Sequence, residues 1–247
     1  FRFDPALVHP HFALAQNSVD QGLGHTLELG AQKIVDTLPG ELRPYQRQGL
    51  SWMANMAEIG FGGILADDMG LGKTVQFLAL HLARRPTGLP TLVVCPVSVI
   101  ANWAREAERI APSVPVLRYH GSGRRLGDLA PDALVLTTYG TVRRQADALA
   151  AQHWGLVAAD EAQNIKNPMS RTARALRRLP AEARFALTGT PVENRLVDLW
   201  ALLDWTTPGL LGPLDRFRHE VAIPVERAQD AEAAAALARL VRPFVLR

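Results

Sequence analysis

Gly62-Gly63-Ile64-Leu65-Ala66-Asp67-Asp68-Met69-Gly70-Leu71-Gly72-Lys73-Thr74 is the stretch on which the reading of the whole chain turns. Ile64, Leu65 and Ala66 make a short apolar run that predicts a buried strand; a glycine-punctuated turn follows, and the amphipathic run from Val75 to Leu82 predicts a helix. Strand, glycine loop, Lys-Thr and helix is the build of a phosphate-binding loop. Glycines at 70 and 72 let backbone N–H groups turn toward an anion with no Cβ in the way. The helix N-terminus adds the positive end of its dipole. With the backbone of Met69, Gly70, Leu71 and Gly72 as a cradle, Lys73 can reach the β- and γ-phosphates of a nucleotide and the Thr74 hydroxyl can ligate magnesium. One position departs from the G-x-x-x-x-G-K-[ST] pattern: Asp67 stands where the first glycine usually does.

The chain has 247 residues, enough to bury a full core, and no run of eighteen apolar residues that would predict a membrane span. It has no charged-then-apolar leader, and its start at Phe1 rather than Met suggests a piece of something longer. Its single cysteine, Cys95, lies inside an apolar run and reads as a small buried hydrophobe in a reducing cytoplasm. The net charge of +3 is small, but it is unevenly spread. From Arg118 to Arg178 ten basic residues stand against five acidic ones, 10 − 5 = +5, more than the whole chain carries. That bias fits a polyanion partner, or equally the solvated faces of helices. Lysine is rare, occurring only at 33, 73 and 166, so its place directly after Gly72 is unlike a compositional accident.

Residues 1–40 form a lead-in with no assignable chemistry; His9 and His11 have an H-x-H spacing but no further ligand cluster and read as surface histidines. Leu42-Arg43-Pro44-Tyr45-Gln46 opens an amphipathic helix, with Pro44 suited to its first turn. Gln46, just upstream of the phosphate loop, can offer adenine both a donor and an acceptor, although a helix-surface glutamine is the commoner case. Beyond the loop, blocks alternate. Thr91–Cys95, Leu134–Thr138, Gly155–Ala159 and Ala183–Leu187 read as strands; Ser98–Ile110, Thr141–Ala151, Arg171–Leu179 and Glu193–Trp205 read as helices. Strands that are apolar throughout and alternate with helices predict an α/β fold, a mostly parallel sheet covered on both faces. Ligands of such sheets sit beyond the carboxyl ends of the strands. The phosphate loop, Pro96-Val97-Ser98, Thr137-Thr138, Asp160-Glu161 and Thr188-Gly189-Thr190 all follow a predicted strand, and so share one edge. From Pro208 onward the pattern changes to loops and an alanine-rich helix over Glu226–Val241.

Asp160-Glu161, delivered by an apolar strand to the edge where Lys73 would hold phosphate, supplies the second half of a nucleotide-hydrolysis site. The aspartate can hold the magnesium that bridges β- and γ-phosphates, and the glutamate can polarise the attacking water. Gly60, Gly62 and Gly63 bring a dinucleotide fingerprint to mind, but Leu65 occupies the third glycine position and that reading fails.

Taken together, these stretches resemble the Swi/Snf-type ATP-dependent DNA translocases, chromatin-remodeller-like motors of helicase superfamily two. Ala66 to Gln76 is similar to their phosphate loop, in which an aspartate stands where Asp67 does. Leu42–Gln46 resembles their adenine-reading motif; Pro96–Trp103 and Thr137-Thr138-Tyr139 resemble DNA-contacting motifs; Asp160-Glu161-Ala162-Gln163 with Ile165-Lys166-Asn167 resembles the magnesium and water-activating motif. Leu187-Thr188-Gly189-Thr190-Pro191-Val192-Glu193-Asn194 is similar to the motif that couples two motor lobes. The closing Pro243-Phe244-Val245-Leu246-Arg247 is also family-like, and the resemblance spans about residues 41–247.

The resemblance implies a RecA-like P-loop fold, with residues 41–207 as an ATP-binding lobe and 208–247 as a mainly helical extension toward a second RecA-like lobe. It implies ATP and Mg²⁺ as cofactors, Lys73, Asp160 and Glu161 as catalytic residues, and Thr74 and Asp160 as the magnesium ligands. Gln46 would read adenine, and double-stranded DNA would be held near Ser98, Thr137, Thr138 and Lys166, on phosphates rather than bases. Thr188, Gly189 and Thr190 would couple the lobes. The alanine-rich style looks bacterial, which would place the protein in the cytoplasm, on the nucleoid. Because the second lobe of such motors supplies the arginines that stabilise the transition state, this chain by itself is expected to hydrolyse ATP poorly. Two other readings stay open on these residues: a strand-separating helicase of the same superfamily, and a nucleotide-gated binding module that does not hydrolyse.

Overall fold

The computed structural model of the chain describes residues 42–122, 125–191 and 195–247. The lead-in with His9 and His11, and Val192 to Asn194 of the coupling motif, lie outside the described residues. The fold is an α/β sandwich around a seven-stranded, all-parallel sheet in the order β3-β4-β2-β5-β6-β1-β7. The strands are β1 (Gly63–Leu65), β2 (Thr91–Cys95), β3 (Val116–Tyr119), β4 (Leu134–Thr138), β5 (Trp154–Asp160), β6 (Ala181–Leu187) and β7 (Val245–Leu246). Every residue of β1, β2 and β4 is buried, as expected of strands covered on both faces.

The longer helices match the apolar periodicity: α1 (Pro44–Glu58), α2 (Lys73–Arg84), α3 (Ile100–Ile110) and α7 (Leu196–Thr206). The expected helix from Ser98 begins instead as a 3₁₀ turn over Val97–Val99. The one expected over Thr141–Ala151 is split at Gln145 into α4 (Tyr139–Arg144) and α5 (Ala146–Ala150); α6 (Arg171–Arg177) follows. The alanine-rich helix is also two. After α8 (Leu214–Phe217) and a π-helical turn, α9 (Ile223–Ala228) ends at Gln229 in the left-handed region (φ 52°). Asp230 then starts α10 (Ala231–Val241) by accepting from the N–H groups of Glu232 and Ala233.

Two strands had no strand-like signal. β3 is an edge strand with mostly exposed side chains and an arginine in its middle, and β7 is two residues long and exists only through its pairing with β1. The main core joins residues from Leu42 to Phe244, and a smaller cluster packs Trp200 and Ala201 of α7 against Phe217, Ala222 and Leu237.

The register places the carboxyl ends together. Leu65 pairs with Leu187 and Leu246, Leu187 with Asp160, and Cys95 with Thr138, so all the motif loops leave the sheet along one edge.

Candidate functional site

A cleft of about 470 Å³ opens on that edge, lined by the phosphate loop from Met69 to Thr74, by Arg43, Tyr45 and Gln46 of the α1 entrance, by Trp103 and Glu106 of α3, and by Asp160 and Glu161. Gly70 and Gly72 both adopt the left-handed conformation, with φ of 85° and 81°. The positive φ favours glycine at 72, and a Cβ there would also stand 2.5 Å from Gln46 Nε2 and displace that amide. Gly72 is the N-cap of α2 and no side chain caps that helix, which leaves its first-turn N–H groups for an anion. Lys73 Nζ donates to the backbone oxygens of Asp67 (2.6 Å) and Asp68 (3.1 Å), holding the ammonium over the loop.

The aspartate in place of the first glycine has a structural partner. Asp67 is buried, and its Oδ2 accepts from Gln76 Nε2 at 2.9 Å, which fastens the start of the loop to the second turn of α2. Gln76 is itself fully buried and fits only because residue 49 of α1 has no side chain: a Cβ on Gly49 would lie 1.8 Å from Gln76 Oε1. Gln46 spans the neighbouring gap, its Oε1 accepting from Arg43 N and its Nε2 donating to Leu71 O.

Opposite Lys73, β5 ends on the two carboxylates. Asp160 Oδ2 accepts from Trp103 Nε1 (2.7 Å) and its Oδ1 from Glu161 N (3.0 Å), while the Asp160 backbone oxygen accepts from the Tyr139 hydroxyl (2.6 Å). Burial pushes the Asp160 carboxyl above the usual carboxylate range; the indole bond opposes the shift, the charge of Glu161 adds to it, and Lys73 draws it back down. Glu161 sits in the left-handed region (φ 51°), an uncommon conformation for a non-glycine residue and one often found at functional sites. Its Oε2 accepts from Gln163 Nε2 (2.9 Å), Gln163 Oε1 accepts from Thr188 Oγ1 (3.2 Å), and Thr188 Oγ1 accepts from Thr190 N (3.2 Å). Lys166 closes the chain by donating to Thr190 O at 2.7 Å. A Cβ added at Gly189 would just reach van der Waals contact with the phosphate loop, 3.7 Å from Asp67 O and from Met69 Cγ.

The residues expected at the DNA side are placed differently from one another. Ser98 is exposed on its 3₁₀ turn. Thr137 is fully buried and donates to Tyr119 O; Thr138, also buried, caps α4 by accepting from Thr141 N. Lys166 is buried with its ammonium on Thr190. The basic bias of the 118–178 segment gathers in a separate depression of about 390 Å³ lined by Arg143, Arg144, Arg171, Arg174 and Arg178, with Arg178 paired to Asp147. Cys95 is buried, its thiol pushed up to about 12 by desolvation and then by the Asp160 charge, as befits an inert core residue.

Gly49 has no signal in the sequence, where a helical glycine looks like ordinary packing. Trp103 and Tyr139 enter the sequence reading only as the ends of the two motifs that resemble DNA-contacting ones, and only the fold shows that both face Asp160.

Comparison with known proteins identifies the family. The SNF2-related domain model matches residues 45–247. YwqA of Bacillus subtilis, whose name places it among ATP-dependent helicases or translocases, is 40% identical over 227 residues, covering 89% of this chain and 25% of its own length. The Zorya protein ZorD of Escherichia coli is 37% identical, covering 83% of this chain and 22% of its own. Among solved structures, the Sulfolobus solfataricus SWI2/SNF2 ATPase core in complex with dsDNA superposes with a TM-score of 0.79 at 40% identity, covering 85% of this chain and 45% of that one. The chain thus spans about a quarter of these curated relatives and under half of the solved core. Its phosphate loop, its paired carboxylates and the family match over most of its length place it in one group: the chain belongs to the SNF2-related domain family.

Proposed function

We propose that this chain is the nucleotide-binding first lobe of an ATP-driven motor that translocates on double-stranded DNA and remodels protein–DNA complexes. The observation that supports this reading best is the shared cleft: Lys73 and the glycine cradle on one side, Asp160 and Glu161 on the other, at the carboxyl edge of one parallel sheet. In it Lys73 holds the β- and γ-phosphates, the first-turn N–H groups of α2 hold the remaining phosphate oxygens, and Glu161 orients the attacking water. Thr74 and Asp160 would hold magnesium, which neutralises charge on the phosphate oxygens when bound. Among the described residues no group of three or more His, Cys, Asp or Glu forms a self-sufficient metal site. One carboxylate, one hydroxyl and substrate phosphates is a donor set that suits Mg²⁺.

The adenine end of the nucleotide lies by Arg43, Tyr45 and Gln46. Gln46 reads the base by exchanging one of its two loop bonds for it. Duplex DNA is held on its phosphates by the exposed Ser98 and by backbone groups near Thr137, Thr138 and Lys166, whose side chains are already engaged. The Glu161–Gln163–Thr188–Thr190–Lys166 chain is the path by which the lobe-coupling motif senses the water-activating residue.

Residues 41–207 form this lobe, and 208–247 the extension toward a second RecA-like lobe that completes the cleft, so the 247-residue chain alone turns over slowly. Among the described residues no helix is long and apolar enough to cross a membrane, and we place the motor in the cytoplasm, on DNA.

The test is ATP turnover with and without duplex DNA, measured on the longest natural polypeptide that contains these residues and on this chain beside it. Strong duplex stimulation in the long polypeptide only, with nucleotide binding kept and turnover lost in Glu161→Gln, is the expected result. Equal, DNA-indifferent rates in both would move the assignment to a nucleotide-gated binding module, and displacement of a paired strand would move it to a helicase.

A further inference from the structure

Two aromatic side chains from two different helices converge on Asp160. Trp103 of α3 holds the carboxylate at Oδ2 (2.7 Å), and Tyr139, the first residue of α4, holds the backbone oxygen of the same residue (2.6 Å). Both are buried, Trp103 at 1% and Tyr139 at 9% exposure. Each helix starts where duplex contact is assigned above. α3 continues from the turn that exposes Ser98, and α4 follows directly on Thr138.

Packing by itself does not account for the indole's choice of acceptor. A buried indole N–H usually finds a partner, and most side-chain hydrogen bonds go to backbone. Of the other four tryptophans, three give their N–H to backbone, Trp52 to Pro243 O, Trp154 to Leu149 O and Trp200 to Gly212 O, and the buried Trp205 N–H has no partner. Trp103 instead donates to an ionisable carboxylate, half-buried at the wall of the cleft, which costs more to desolvate than a backbone carbonyl. The ring is 1% exposed and packs edge-to-face with Phe77 of α2, the helix of the phosphate loop, at a centroid distance of 6.2 Å. When α3 shifts, the indole shifts with it, and so does the group that holds Oδ2.

We propose that Trp103 and Tyr139 are positioning residues that set the Asp160 carboxylate for magnesium and make its placement respond to duplex contact at the entries of α3 and α4. This rests on the reading of Asp160 as a magnesium residue given above. Charge-assisted bonds to a carboxylate are short and strong, and partners that orient a metal-binding carboxylate typically carry about 10- to 100-fold in metal affinity. Tyr139 acts on the backbone rather than on the carboxylate, so its effect is the smaller.

The experiment is a magnesium titration of fluorescent-ATP binding, with and without duplex DNA, on the longest natural polypeptide carrying these residues. In the parent, duplex lowers the Mg²⁺ concentration needed for half of the magnesium-dependent gain in affinity. Trp103→Phe raises that midpoint roughly tenfold or more and Tyr139→Phe raises it severalfold. Both lose the response to duplex, and both bind nucleotide without magnesium about as the parent does. Trp154→Phe is the control. It removes an equally buried indole from the other end of β5, lowers the melting temperature, and leaves the midpoint and its DNA response alone. If Trp103→Phe fails to fold, 3-benzothienylalanine at 103 keeps the ring shape and deletes only the N–H, and the same rise is expected. An unchanged midpoint in both aromatic variants overturns the proposal; so does an equal rise in Trp154→Phe, or a parent whose midpoint ignores duplex. Lys73→Ala run beside them tests the site itself. Nucleotide binding that survives that change would refute the nucleotide reading rather than the bracket.

Discussion

The two ends of β5 use the same residue type for different ends. At its start, Trp154 is fully buried and gives its N–H to a backbone carbonyl; at its finish, Asp160 receives the N–H of Trp103 on a carboxylate that borders an open cleft. The contrast extends along the whole sheet. The amino edge is closed and tightly packed: His81 Nδ1 meets the Thr91 hydroxyl while its buried Nε2 has no partner, the Thr207 hydroxyl donates to Gly62 O, and Gly62 lies so near β6 that a Cβ would fall 1.8 Å from Arg184 O. The carboxyl edge holds left-handed glycines, the left-handed Glu161 and a desolvated carboxylate facing a lysine. One edge is built for stability and the other keeps its strained and charged groups for chemistry. If that division is right, variants at the two edges should separate stability from activity.

The largest separation is expected at Lys73. Its ammonium bonds only to loop carbonyls, so Lys73→Ala should leave the melting temperature nearly unchanged while ATP turnover of the long polypeptide falls by about 10²- to 10³-fold, the loss of one preorganised charge at the transferring phosphoryl group. A core-like drop in melting temperature would show that the carboxyl edge also holds the fold together.

The amino edge should show itself in acid. Burial depresses the His81 imidazole from 6.5 to about 4; Asp132 nearby pulls it up and Arg85 pushes it down. The folded state therefore stays neutral at this position down to about pH 4, while the unfolded chain takes up the proton below about 6.5. Its contribution is whole above pH 6.5 and is lost as pH falls toward 4, up to about 3 kcal/mol for a gap of this size. Urea unfolding at pH 7 and pH 4.5 should show the loss in the parent and a smaller one in His81→Asn. Equal pH dependence in both would clear His81.

A third prediction concerns the support of the loop rather than its chemistry. Gly49→Ala ought to raise intrinsic helix propensity in α1, yet the new Cβ meets buried Gln76 and so disturbs the Gln76–Asp67 bond. A net destabilisation of about 1–3 kcal/mol is expected, as for other overpacked cores, with weaker nucleotide binding. Stabilisation by the alanine would show that Gln76 has room to move and that the loop does not depend on it.

These contrasts also mark what the sequence could tell. The carboxyl edge was legible because its chemistry is written in residue types at fixed spacing: two glycines, a lysine and a threonine in one run, and two adjacent carboxylates after an apolar strand. The parallel α/β architecture was legible because doubly covered strands such as β2 and β4 are apolar from end to end. What was not legible is settled by pairing or by approach. β7 is a strand only because β1 lies beside it, β3 is four residues long and broken by the exposed Arg118, and Gly49 and Trp103 gain their meaning from residues far away in the chain. The resemblance already matched an aspartate at position 67, but the partner that holds it, Gln76, shows only in the fold.

The smallest effects should divide the DNA side in the same way. Thr137 and Thr138 end β4 and Ser98 follows β2; all three are small hydroxyl residues, but only Ser98 is exposed. Thr138→Val removes the α4 cap and should cost about 1 kcal/mol of stability, the usual worth of an N-cap side chain, with duplex affinity changed only as far as α4 is loosened. Ser98→Ala should cost less than about 0.5 kcal/mol, as at most surface sites, while lowering duplex affinity severalfold at low salt. The loss should be the same for any sequence, because a phosphate contact positions the duplex without reading it. If Ser98→Ala leaves affinity untouched and Thr138→Val reduces it without unfolding α4, then the duplex is held through the α4 entrance and the 3₁₀ turn after β2 is a bystander. That outcome would also take away one of the two routes by which DNA is proposed to reach Asp160, leaving Tyr139 as the only link.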